Sequence, residues 1–172
     1  LIDRRGAVVA STGALRPASV TEENFFVHLR DRPAANQGIS VDQAHRDPQS
    51  HEWQLHFSRR MNARDGSFAG IVTIVVDAAY FVSGYDASKI GEHGVLGLLG
   101  TDGVFRIRRS GEAVSAGDAV DYSSVVAPST GDDDAPVSLT ANPWDRVPRY
   151  TSARELYEFP LAVVVGLSEQ EQ

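Results

Sequence analysis

The sequence predicts an α+β fold in two tandem modules, each an antiparallel sheet flanked by short helices. Three observations predict it. Apolar residues recur with the period of strands over most of the chain, the helix-like stretches are few and short, and the two halves open and close on the same hairpin patterns.

The repeat is read by comparing the ends of the chain with its middle. Leu1–Val8 runs from two apolar residues through a polar turn and a glycine into more apolar residues, and Leu98–Phe105 repeats that order. Each is a hairpin signal, with a glycine free to take positive φ. Ser58–Met61 leads through a turn into the apolar run Phe68–Asp77, as Ser152–Leu156 leads into Pro160–Ser168. Two copies are too few for a solenoid, so the reading is a pair of related domains, residues 1–85 and 86–172.

In the first half, Glu22–Arg30 predicts a short helix. Thr21 is its candidate N-cap, Glu22 and Glu23 suit the first turn, and Phe25, Phe26 and Leu29 form the apolar face. Pro33 stops it. Gly38–Val41 predicts a short strand. Trp53, Leu55 and Phe57 alternate with Gln54, His56 and Ser58, the period of a half-buried strand. Asp65-Gly66 is a turn signal, and Phe68–Val76 a more continuously apolar, central strand. Tyr80, Phe81 and Tyr85 lie in the junction, on a turn of helix. The second half predicts strands at Val95–Leu99 and Val104–Arg108, a short helix at Ala119–Val126 and a loop rich in acid and proline at Pro128–Pro136. It closes on Arg149–Leu156 and Leu161–Leu167.

Composition then narrows the function. The chain has 172 residues, 42% of them hydrophobic and 23% charged, which is enough apolar material for packed cores. A formal net charge of −7 argues against a nucleic-acid binder, which needs a basic footprint. No cysteine is present, so disulfides, thiolate metal sites and cysteine nucleophiles are excluded. The longest apolar runs, Ile71–Val76 and Leu161–Val165, are strand-sized. The chain opens inside an apolar segment with neither methionine nor signal-peptide pattern, which reads as a fragment excised from a longer protein.

His28, His45, His51, His56 and His93 show no metal-ligand spacing, and Asp132–Asp134 reads as a solvated loop, not a calcium site. Ser11, Ser58 and Ser152 lack the glycine context of a hydrolase nucleophile. Gly91, Gly94 and Gly97 do not form a phosphate-cradling pattern. The sequence therefore gives no reason to expect an enzyme, a cofactor or a metal in this part of the protein.

The run Trp53–Phe81 resembles the double Cache sensor family. In that family a strand ending in Ser-Arg-Arg (here Ser58-Arg59-Arg60) precedes an Asp-Gly turn (Asp65-Gly66) and a strand ending ahead of Tyr-Phe (Tyr80-Phe81). Gly94, Leu98, Leu99, Asp102 and Gly103, then Arg149–Arg154 and Phe159–Ser168, are similar to the family's second module. The resemblance covers nearly the whole chain. It implies two PAS-like modules, membrane-distal (1–85) and membrane-proximal (86–172), on the periplasmic face of a bacterial inner membrane. They would belong to a membrane-tethered receptor with a diguanylate cyclase or histidine kinase output domain.

Two departures from the family pattern bear on function. The family opens with a long helix ahead of the first strand, and this sequence begins at the strand. That would leave one face of the first sheet uncovered or covered by a partner chain, so a homodimer is among the arrangements implied. Where the family has Asp-Arg-x-Tyr-Phe, this chain reads Glu22-Glu23-Asn24-Phe25-Phe26, which removes a cation. The tyrosine–arginine–tryptophan signature of amino-acid-binding Cache domains is also not found.

The expected role is to bind an unidentified small molecule and relay its presence across the membrane, with a purely structural or dimerising domain as the alternative. Candidate ligand contacts are Phe25, His28, Trp53, Phe57, Arg59 and Tyr80. Arg59 shares strand parity with Trp53, Leu55 and Phe57, so on an apolar face it needs a partner: a ligand carboxylate or phosphate, or Asp65 or Asp77. Otherwise it must escape at the strand end. His56, Ser58 and Arg60 occupy the opposite face, and the sequence leaves open which face lines a pocket.

Overall fold

The structure, a computed structural model, describes residues 1–13, 19–83, 90–126 and 138–169. The expected module boundary at 85/86, Tyr85, the Pro128–Pro136 loop and Asp132–Asp134 lie outside the described residues. Among the described residues the strands are β1 (Ile2–Asp3), β2 (Ser40–Val41), β3 (His45–Arg46), β4 (Trp53–Asn62), β5 (Phe68–Asp77), β6 (Val95–Gly100), β7 (Phe105–Ser110), β8 (Ala113–Ser115), β9 (Leu139–Ala141), β10 (Pro148–Glu155) and β11 (Leu161–Ser168). The helices are α1 (Asn24–Asp31), α2 (Tyr80–Ser83) and α3 (Tyr122–Val125). Short helices and two antiparallel sheets make the fold α+β. The chain divides into two compact units, Leu1–Asp42 with His56–Val76 and Gln43–Leu55 with Asp77–Gln172.

In the first unit β1 pairs with β5, Ile2 opposite Ile71, and the sheet runs β1-β5-β4-β2. The predicted opening hairpin is present. Ile2 bridges Val8, Gly6 takes φ 80°, and the Asp3 carboxylate accepts the backbone N–H groups of Arg5 and Ala7. The β4–β5 turn also follows the sequence, with Gly66 at φ 82° and Asp65 accepting from Ser67. Helix α1 starts two residues later than expected. Its N-cap is Glu23, which makes no side-chain cap bond, and the Thr21 hydroxyl, the expected cap, is engaged with Ser19 at 3.1 Å. Phe26 and Leu29 bury the apolar face against Ile2 and Ile71, and the Phe26 ring meets Phe68 edge-on at 5.7 Å. Arg32, one residue before Pro33, is already extended.

The second unit holds the larger sheet, in the order β8-β7-β6-β11-β10-β9; β3, which pairs the start of β4, belongs to the smaller sheet. Strand β11 lies centrally, Ala162 opposite Leu99 and Val164 opposite both Gly97 and Ala153. Leu99, Phe105, Val126, Ala162 and Val164 form its core, with Trp144 and Tyr122 packed against them. The expected helix at Ala119–Val126 is confined to α3, whose N-cap Asp121 accepts from the Ser123 N–H. Strands β3, β8 and β9 were not anticipated. Two or three residues are too short to show a period.

The two sheets share more than the sequence comparison exposed. In each, the opening strand pairs with the closing strand (β1 with β5, β6 with β11), and the closing strand's hairpin partner, β4 or β10, lies on its other side. Val20 N–H donates to the Gly6 carbonyl at 2.9 Å, and Val120 N–H to that of Gly103 at 2.8 Å. Asp47–Glu52 and Asn142–Val147 close matching four-residue loops. In each the terminal N–H and carbonyl pair, and the residue before the last (His51 at φ 59°, Arg146 at φ 64°) is left-handed.

Gly70 is one glycine the packing requires. Its φ is 147°, and a Cβ there would strike the Ile2 carbonyl oxygen and crowd the Met61 methyl. Gly70→Ala is therefore expected to pry β1 from β5 and destabilise the protein by roughly 1–3 kcal/mol, read as a lower urea midpoint.

Candidate functional site

On β4 the residues of one parity meet helix α1. The Phe25 ring stands edge-on to the His56 imidazole, centroids 5.9 Å apart. Next along the strand, the fully buried Ser58 hydroxyl shares a 2.9 Å hydrogen bond with Thr73 of β5, and Ser40 of β2 pairs in register with Ser58. Arg60 follows, buried under the end of α1 with its guanidinium 4.9 Å from the Phe68 ring centroid. It donates to the Leu29 carbonyl at 3.0 Å, to the Arg30 carbonyl, and through Nε to Asn62 at 2.7 Å. A cation on the last carbonyls of a helix satisfies groups that have no intrahelical partner. Arg60 is thereby committed to structure. What remains beside it is the hydroxyl pair of Ser58 and Thr73, an imidazole and an aromatic edge.

The six sequence candidates are not gathered into one cluster. Phe25 joins His56 as described. His28 is exposed, its Nε2 accepting from Arg32 at 2.9 Å. Phe57 is half-buried and pairs in register with Val41. Arg59 is exposed and reaches Gln37 at 3.4 Å, whereas Asp65 and Asp77 are taken by their own turns. In the second unit, Trp53 lies under the Arg46 guanidinium at 4.7 Å, and its buried indole N–H finds no acceptor among the described residues. Tyr80 is 72% exposed and leans edge-on against Phe81. Sequence reasoning put His56, Ser58 and Arg60 on the alternative face but missed Ser40, Thr73 and Arg46. Only strand register brings those three to their partners.

The second unit has a buried polar centre of its own. Arg149, 1% exposed, donates to the His93 carbonyl at 2.5 Å, to Asn142 and Asp145 at 2.8 Å each, and to the Ser110 hydroxyl at 3.1 Å. Burial pushes the Asp145 carboxyl upward. The hydrogen bonds from Arg149 and the Val147 N–H, with the charges of Arg149 and Arg108, outweigh that and hold it below the usual carboxylate range. The Tyr122 hydroxyl is pushed up to about 12 by burial and by its hydrogen bond to Glu155, so it stays a donor at any physiological pH. Among the described residues no cluster of three or more histidine or acidic side chains is placed to hold a metal, and no helix is long and apolar enough to cross a membrane.

The fold is similar to that of solved extracellular and ligand-binding domains of histidine kinases and chemoreceptors. The chain is similar to the extracellular domain of rpHK1S-Z16, assigned as a histidine kinase, at 23% identity and a TM-score of 0.71. That match covers 98% of this chain and 69% of that one. It is also similar to the ligand-binding domain of the Pseudomonas aeruginosa PAO1 amino-acid chemoreceptor PctB, solved with L-Arg (13% identity, TM-score 0.62, 99% of this chain and 65% of that one). A third likeness is to the ligand-binding domain of the Pseudomonas fluorescens chemoreceptor CtaA with L-serine (10%, TM-score 0.57, 98% and 71%). The chain thus spans about two thirds of the length of these domains. No protein-family model and no curated protein matches the sequence.

Two outcomes follow from the Arg149 centre. Arg149→Ala leaves half-buried Asp145 with only Arg108, 3.9 Å away, as a cation, and is expected to cost about 3–5 kcal/mol, measured by denaturant unfolding. Because the Asp145 carboxyl is depressed in the folded state, its contribution is complete above the unfolded value of about 3.9 and is lost as pH falls through the folded value. The thermal midpoint should therefore drop as pH falls below about 4, and less steeply in Asp145→Asn.

Proposed function

We propose that the chain is the extracytoplasmic ligand-sensing region of a transmembrane signal-transduction receptor, built as two tandem PAS-like modules at 1–85 and 86–172. The observation that carries this reading is a fold shared with extracellular sensor domains over 98–99% of the chain. The shared strand order and matching four-residue loops support the tandem arrangement. A small molecule binds the membrane-distal module and favours one of two geometries, and the difference passes through Pro160–Ser168 to a following membrane helix. The signal is the ligand's differential affinity for the two states.

The proposed contacts in the first unit are Phe25, His28, Phe57 and Arg59, joined by His56 and Ser58; Trp53 and Tyr80 are proposed separately in the second. The commitment of Arg60 to backbone carbonyls and the acidic Glu22-Glu23 favour a ligand recognised mainly by uncharged hydrogen bonds, with Arg59 its one cationic contact. The neighbours were solved with L-Arg and L-serine, and this chain is proposed to differ from them in that respect. A thermal-shift screen of metabolites is expected to find neutral polar compounds that raise the midpoint by mass action. Loss of the response in Phe25→Ala is expected for a compound held in the first unit; for one held in the second, an affinity roughly tenfold weaker in Trp53→Phe, which keeps an aromatic ring but removes the orphan N–H, is expected. A library without any hit would sink the sensing role.

A second reading, a dimerising extracellular domain, is favoured by one observation. Val72, Ile74 and Val75 on β5 are 42%, 63% and 49% exposed, an unusual density of open aliphatic surface on one strand. If it holds, sedimentation gives a dimer that Ile74→Asp converts to monomer; a wild-type monomer at every concentration excludes it.

A further inference from the structure

The loop Asn142–Val147, like Asp47–Glu52, turns on a left-handed residue that is not glycine. Its Arg146 is left-handed at φ 64°, a region that favours glycine or asparagine and that costs a long side chain about 1 kcal/mol. The backbone is held there by Arg146 N–H on the Asn142 carbonyl at 2.9 Å and by Val147 N–H on Asp145 at 3.1 Å. Yet the Arg146 guanidinium, exposed, meets no partner among the described residues.

Arg146 stands at the rim of a depression of about 310 Å³, lined also by His93, Val147, Pro148, Ser168 and Glu169. That volume is at the lower end of small-molecule sites. Its frame is rigid, because buried Arg149 ties the His93 carbonyl to Asn142 and Asp145 in the loop that carries Arg146. Glu169, like Arg146, is exposed and without a partner among the described residues, and the two do not reach each other. An unpaired cation and an unpaired anion thus share one hollow, with Val147 and Pro148 on its wall.

We propose that this hollow is a second ligand site, distinct from the contacts proposed above, and that it takes a small zwitterion. The anionic end pairs with the Arg146 guanidinium, whose fork suits a carboxylate, and the cationic end with the Glu169 carboxylate. A short aliphatic spacer lies on Val147 and Pro148. With one positive and one negative lining group, the site offers no net charge to hold a dianion.

The test is calorimetric titration of the chain with β-alanine and its longer ω-amino-acid homologues, against propionate, propylamine and inorganic phosphate. At least one homologue is expected to bind saturably, and the single-charge probes roughly tenfold or more weaker. Arg146→Gly relieves the left-handed strain, so its thermal midpoint should hold or rise while zwitterion binding is lost. Glu169→Gln should weaken the zwitterion and leave propionate unchanged. Binding that survives Arg146→Gly, phosphate or propionate binding as tightly as the zwitterion, or no binding by any homologue each overturns the proposal. A hit in the metabolite screen that Arg146→Gly leaves intact belongs to the other site and speaks only to the sensing role.

Discussion

Both sheets depend on one constraint, the antiparallel pairing of each half's opening strand with its closing strand. Ile2 lies opposite Ile71, and Leu99 opposite Ala162, so neither sheet is complete until a whole half is in place. Loop closure over such separations costs entropy before any contact repays it, which makes the pairing slow to form and cooperative once formed. The pairing needs bare backbone at the crossing points. Gly70 admits the Ile2 carbonyl, and Gly166 of β11 leaves room for Val95 of β6, whose methyl would lie 2.8 Å from a Cβ there.

The buried arginines are the second organising feature. A guanidinium out of water is costly unless every donor is used. Arg60 spends its donors on the last carbonyls of α1 and on Asn62, fixing the helix to the sheet beneath Phe25 and His56. Arg149 spends its donors on four groups drawn from residues 93 to 145. Arg106 is similar: its pair with Asp102 closes the β6–β7 turn, and there too burial of the carboxyl is outweighed by the arginine and the Val104 N–H. Most cations of the second sheet are thus committed to architecture, which is why an arginine left over, Arg146, stands out.

This division shapes what the molecule can recognise. Around Ser40, Ser58 and Thr73 the groups are neutral, whereas beside Val147 and Pro148 they are an opposed pair of charges. A receptor with two such places would answer to two chemistries, and coupling between them would be measurable as a change in one affinity on saturating the other.

By itself the sequence determined the α+β class, the hairpins with their glycines at 6, 66 and 103, the alternating strand from Trp53 and the apolar strands β5, β6 and β11. These are legible because period and turn chemistry are local. It also made the candidate residues nameable, since β4 has only two faces. The tertiary structure decided which arginine is buried: Arg60 and not Arg59, because α1 covers that parity at the strand's end while the other side lies open. It decided the start of α1, where Thr21 is engaged with Ser19, and the short strands β3, β8 and β9, whose partners alone make them strands. The hollow at Arg146 was beyond reading from sequence. Its lining comes from residues 93, 146–148 and 168–169, segments that only the register of β10 against β11 and the reach of Arg149 bring together.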